Sequence, residues 1–231
     1  IRSNNALKSL SDLKLGSVRC LSSLTIKFNK DLSDIGSLPS TNPQTHEHCK
    51  LKMLVLTGNS KLSSLLGNLH KLTRIANVID ISHNNLHTLP FPPSHATILT
   101  AKGNNISSFE TKWSNYEEEV KPKLKKLIQM DLSENLIFQI PELLPKNLEK
   151  LDLSRNKITS LNNHFQNLEY LQTLNLNRNM IESILPNSKL PSGNSISATH
   201  NMLNDLQWLP SGYSLCISFD DPCTNVKRKN H

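Results

Sequence analysis

Aromatic residues make up only 5% of this 231-residue chain, and hydrophobic residues of every kind only 36%. That is low for a compact globule. It excludes a thick aromatic core and fits a thin one lined by leucine and isoleucine. No stretch approaches the roughly 20 apolar residues that a membrane-spanning helix requires. The motifs G-x-S-x-G and G-x-x-x-x-G-K-S/T are both absent. Nucleophile-elbow hydrolases and P-loop nucleotide enzymes are thereby excluded. Cysteine is sparse: Cys20, Cys49, Cys216 and Cys223. They form no multi-cysteine cap, and Asp220-Asp221-Pro222-Cys223 is at best a remnant of one. Charge of one sign is in modest excess, 26 − 19 = +7, but the basic residues are scattered. Neither a nucleic-acid partner nor membrane insertion is expected. No signal peptide is visible, and the first residue is Ile1 rather than methionine. A processed product, or a piece of a larger chain or complex, is expected.

What the sequence does have is a repeat. Residues 147–181 hold L-x-x-L-x-L-x-x-N-x-I twice, 23 residues apart. The first copy uses Leu148, Leu151, Leu153, Asn156 and Ile158. The second uses Leu171, Leu174, Leu176, Asn179 and Ile181. L-x-L is strand alternation, so Leu151 and Leu153 point inward while Asp152 and Ser154 point outward. The asparagine follows where the chain turns off the strand. Its amide can serve backbone groups that lack a ladder partner there. One such unit cannot bury its leucines alone, so about three or more must stack.

This spacing resembles the leucine-rich repeat family. The same register recurs at Asn29, Asn59, Asn84, Asn104 and Asn135, then at Asn156 and Asn179, and in degenerate form at Asn201 and Asp220. The resemblance implies an α/β repeat solenoid. Its parallel sheet would curve along the concave face, and its convex side would be mostly irregular or 3₁₀. Residues 1–20 are expected to be an incomplete N-terminal repeat or cap, with 6–20 as the remnant. Residues 21–223 would be a solenoid of about nine repeats, and 224–231 a basic tail carrying Lys227, Arg228 and Lys229.

The asparagine spacings are 30, 25, 20, 31, 21, 23, 22 and 19. That irregularity does not match the ribonuclease-inhibitor type. Residues 85–104 resemble the proline-containing repeats of bacterial effectors. Residues 158–179 resemble the typical repeat of Toll-like receptors, where Phe165 would plug the convex side. Leu38-Pro39, Leu89-Pro90, Ile140-Pro141 and Leu209-Pro210 exclude regular helix over much of the outer side.

The two longest spacings mark loops at 38–50 and 108–123. The second carries Trp113 and Tyr116, either packed on the convex core or presented as interface anchors. Cys20 and Cys49 share nearly one register in adjacent repeats, and two buried thiols are favoured over a bridge. His46, Glu47, His48 and Cys49 read as a solvated loop, with no metal expected. Asp131 and Asp152 sit side by side but lack a nucleophile, base and orienter, so no catalytic residue and no cofactor is assigned.

The expected function is a non-enzymatic scaffold that binds a protein partner on the concave face. The candidate residues are Asp131, Glu134, Asp152, Arg155, Asn175, Asn177 and Arg178, with Trp113 and Tyr116 as the loop alternative. An innate-immune receptor ectodomain fragment or a secreted bacterial effector are the alternatives. The lack of cysteine caps, with a single glycosylation triplet at Asn105-Ile106-Ser107, leads the sequence reading to a cytoplasmic location, with extracellular as the alternative.

Overall fold

The computed structural model describes residues 1–4, 6–13, 21–35, 51–65, 77–110, 124–140, 144–161, 165, 167–184, 195–202 and 214–216. Thirteen short strands are found there: β1 Ser23–Lys27, β2 Met53–Thr57, β3 Val78–Asp80, β4 Thr88–Leu89, β5 Ile98–Thr100, β6 Ser108–Phe109, β7 Gln129–Asp131, β8 Lys150–Asp152, β9 Ser160–Leu161, β10 Thr173–Asn175, β11 Ser183–Ile184, β12 Ser195–Ser197 and β13 Ser214–Cys216. Nine of them form one sheet in the order β1-β2-β3-β5-β7-β8-β10-β12-β13. Every pairing in it is parallel. Two smaller parallel pairs, β4 with β6 and β9 with β11, lie beyond the turns. Helix among the described residues is confined to a 3₁₀ turn at Leu10–Leu13 and to Phe165, which also has 3₁₀ geometry. The chain is thus a repeat solenoid with a long parallel sheet and, among the described residues, almost no helix.

The register is the one the repeat predicts. Leu24, Leu54, Ile79, Leu99, Met130, Leu151, Leu174, Ile196 and Leu215 lie side by side across the sheet. A second inward row, from Ile26 through Leu153 and Leu176 to Ala198, is buried beside it. Each strand is only two to five residues long, too short to hold a sheet alone. One continuous core runs from Leu7 to Ala198 instead. Phe165 is among its largest fully buried side chains.

The turns are held by stacked asparagines. In each of Asn84, Asn104, Asn135, Asn156, Asn179 and Asn201, Nδ2 donates to the carbonyl three residues back at 2.8–3.1 Å. The same amide donates to the matching carbonyl of the preceding coil at 2.6–3.0 Å. From Asn104 onward, Oδ1 accepts the N–H of Leu86, Ile106, Ile137, Ile158 or Ile181, again in the preceding coil. Most of these groups are buried, with those of Asn84 and Asn201 partly so, and an unmet buried polar atom costs about 1–3 kcal/mol.

The first coils turn differently. Leu32 and Leu62 follow their asparagines by three residues rather than two, and their N–H groups bond back to Asn29 and Asn59 carbonyls. Here Oδ1 of Asn59 and Asn84 accepts the N–H of Asn29 and Asn59 themselves. Asn4 belongs to this series. Its N–H donates to Asn29 Oδ1 at 2.9 Å, and Leu7 bonds back to its carbonyl. Residues 1–4 therefore already stack on β1, ahead of the remnant expected at 6–20. Between these first turns Lys61 pairs with Asp31, and that hydrogen bond holds the Asp31 carboxyl below its ordinary range.

The residue before each ladder asparagine has positive φ: Ser3, Phe28, Gly58, His83, Gly103, Glu134, Arg155, Arg178 and His200, between 54° and 70°. Two of these are glycine for a further reason. A Cβ on Gly58 would lie 2.5 Å from the Phe28 ring, and one on Gly103 would lie 2.5 Å from His83 Nδ1.

Two substitutions test this packing. Leu153→Ala should cost about 2–5 kcal/mol in urea unfolding, and a loss below about 1 kcal/mol would contradict the register. Gly58→Ala should cost about 1–2 kcal/mol from backbone conformation alone, plus displacement of the ring. Adding Phe28→Ala should recover only the second part.

Candidate protein-binding surface

Four rows of side chains cover the open face of the long sheet. They stand six, four, two and one residues before the ladder asparagines. In coils five to seven the first row is Gln129, Lys150 and Thr173, and the second is Asp131, Asp152 and Asn175. The third is Ser133, Ser154 and Asn177. The fourth is Glu134, Arg155 and Arg178, all with left-handed backbone. Alternation along the strand turns rows one to three outward, and the left-handed residue turns the chain down into the ladder.

The acidic row is occupied by its own backbone. Each strand ends at this position, so the N–H two residues on lacks a sheet partner. Asp80 and Asp131 accept it from Ser82 and Ser133 at 3.0 Å, Asp152 from Ser154 at 2.8 Å, and Asn175 from Asn177 at 3.1 Å. Asp131 also accepts the Ser133 hydroxyl at 2.7 Å. Asn175 Nδ2 donates to Asp152 Oδ2 at 3.0 Å, and Asn177 Oδ1 takes Thr199 N–H and Ser197 Oγ. Four of the seven candidate residues, Asp131, Asp152, Asn175 and Asn177, therefore serve turns and neighbouring strands.

The fourth row is different. Glu134 lies between Lys102 at 3.5 Å and Arg155 at 3.8 Å. The Arg155 side chain is 57% exposed, so this pair adds little stability. Arg178 is exposed and makes no ion pair among the described residues. The structure thus brings Glu134, Arg155 and Arg178 together on one rim.

Sequence reasoning left out the first row. Extending L-x-L by one step to x-L-x-L would have found Gln129, Lys150 and Thr173. It would also have found Met53, Val78 and Ile98, which make the N-terminal part of the face apolar. Exposed Phe28 adds to that part, with the Arg2 guanidinium 5.3 Å from its ring centroid. Trp113, Tyr116, Cys20, Cys49, the 46–49 loop and the basic tail lie outside the described residues.

The turn account separates acceptor from charge. Asp131→Ala should cost about 1 kcal/mol. Asp131→Asn should stay within about 0.5 kcal/mol, because Oδ1 remains and the like charge beside Asp152 is removed. Equal losses on thermal melting would mean that charge, not the acceptor, matters here.

No family model matches this chain. Osteomodulin from Rattus norvegicus is 27% identical over 209 residues, 78% of this chain and 46% of that protein. Keratocan from Homo sapiens is 34% identical over 105 residues, 44% of this chain and 29% of that protein. Opticin from Bos taurus is 28% identical over 157 residues, 62% and 47% of the two chains. The chain spans less than half the length of each of these relatives. All three are secreted proteins of the extracellular matrix, which overturns the cytoplasmic expectation. That expectation leaned on the lack of cysteine caps, and a sequence that covers only part of its relatives does not show whether caps exist. The relatives are small leucine-rich repeat proteoglycans. Together with nine strands in one register and an asparagine at successive turns, the likeness to them shows a leucine-rich-repeat solenoid fold.

Proposed function

We propose that this chain is a non-enzymatic binding module of the extracellular matrix that holds another protein on the open face of its long sheet. The extracellular relatives support the compartment and the kind of work. The observation that carries the site is the state of the charges in coils five to seven. The carboxylates of Asp131 and Asp152 are engaged by their own backbone and neighbours. The guanidiniums of Arg155 and Arg178 stay exposed on a rim fixed by left-handed backbone. Arginine's planar fork suits bidentate contact with carboxylates. The favoured partner surface is acidic toward the rim and apolar toward Met53, Val78 and Ile98.

The test is the double substitution Arg155→Glu/Arg178→Glu, measured for binding to a panel of immobilised, purified matrix proteins. A partner that binds the wild-type chain should bind the variant at least about tenfold more weakly, or about 1.4 kcal/mol, with an unchanged melting temperature. Unchanged binding by the folded variant would move the interface to the 108–123 loop with Trp113 and Tyr116.

A further inference from the structure

We infer that Asn105 is an N-glycosylation site, with its glycan on the lateral rim of the solenoid and clear of the long sheet. This inference rests on the extracellular reading above, since the donor for such a step is met in the secretory pathway. Asn105-Ile106-Ser107 is the one Asn-X-Ser/Thr triplet in the chain, and its middle residue is not proline. A triplet alone is weak, and the fold supplies what it lacks.

The repeat fixes which way each residue faces. Asn104 is a buried ladder asparagine, and its amide is spent on the carbonyls of Ile81, Ala101 and Lys102. Ile106 is fully buried in the core. Asn105 between them is exposed. Its backbone is fixed by Asn105 N–H donating to Leu86 O and Ser107 N–H donating to His87 O. Among the described residues the Asn105 amide has no backbone acceptor. Its Nδ2 donates to Oδ1 of half-buried Asn85 in the preceding coil, at 2.6 Å. Two hydrogens sit on Nδ2, so a sugar can replace one while the other keeps this bond.

An independent observation comes from the next coil. Leu136, one residue past its asparagine as Asn105 is, donates its N–H to Ile106 O at 2.9 Å. Its side chain is 37% exposed, and that of Phe138 two residues on is 58% exposed. This leaves an apolar strip on the rim beside Asn105 and Ser107, where a bulky, solubilising glycan would cover it. The binding rows lie on the other side of the ladder asparagine, so the glycan would leave them open.

In the step itself, Asn105 Nδ2 attacks C1 of the first sugar of a polyprenyl-pyrophosphate-linked oligosaccharide. The Nδ2–C1 bond forms and the C1–O bond to pyrophosphate breaks. The polyprenyl pyrophosphate leaves, and a proton from Nδ2 passes to a base of the transferring enzyme.

The test is expression of the chain through the endoplasmic reticulum of animal cells behind a cleavable leader, followed by peptide mapping with and without peptide N-glycosidase. The wild-type chain and Ser107→Thr should carry glycan at Asn105, and the glycosidase should leave aspartate at that position. Asn105→Gln and Ser107→Ala should lose the modification. The unmodified chains should also bind more of an apolar-surface dye than the glycosylated one. Wild-type chain recovered with unmodified Asn105 would overturn the inference. The failures are distinguishable: glycosylated chain that binds no matrix protein refutes the proposed function alone, whereas unmodified chain that binds refutes this inference alone.

Discussion

Strands of two to five residues end quickly, and at every end the backbone leaves the sheet with polar groups still facing the core. In a solenoid that problem recurs in each coil at the same place. The asparagine amide meets it by donating to its own coil and to the coil before, while its oxygen accepts an N–H from the coil before. The leucines supply most of the burial energy, but they would pack almost as well with small shifts along the strand. The ladder does not permit such shifts, because its donors and acceptors are directional. It therefore ties one coil to the next and keeps the leucine rows aligned.

The surface follows from the same geometry. Entering the ladder demands a left-handed residue just before each asparagine, and those residues form a rim along the sheet. Leaving the strand demands an acceptor for one more N–H, which Asp80, Asp131, Asp152 and Asn175 provide. Asp80, Asp131 and Asp152 are thus drawn to structural duty, while on the rim Arg155 and Arg178 stay exposed, Arg155 beside Glu134. In the N-terminal coils the rim is filled another way, with Phe28 lying over Gly58 and His83 over Gly103.

Much of this was legible in the sequence. Period-two alternation fixed which leucines face inward, and the recurring asparagine fixed the register, so all nine strands of the long sheet fell where the repeat placed them. Asn4 escaped because the pattern was sought through leucines, and its coil lacks the preceding L-x-L. The longer turns after Asn29 and Asn59 escaped for a related reason, since the template assumed an apolar residue two positions on. Within the site, alternation showed that Asp131 and Asp152 point outward. It did not show that a backbone N–H two residues away would claim their oxygens, which is a property of turn geometry. The left-handed column was equally silent, because Glu, Arg and His carry no mark of positive φ as glycine does.

Hydrogen exchange tests the ladder most directly. In the native chain the Ile106 amide donates to Asn135 Oδ1 at 3.0 Å, and it should exchange as slowly as amides within the strands. In Asn135→Ala that amide, one coil before the substitution, should exchange at least about tenfold faster. The Met180 amide, bonded to Ile158 O and two coils beyond the substitution, should be unchanged. Full protection of Ile106 in the folded variant would contradict the account, because the coils would then be held in register by leucine packing alone.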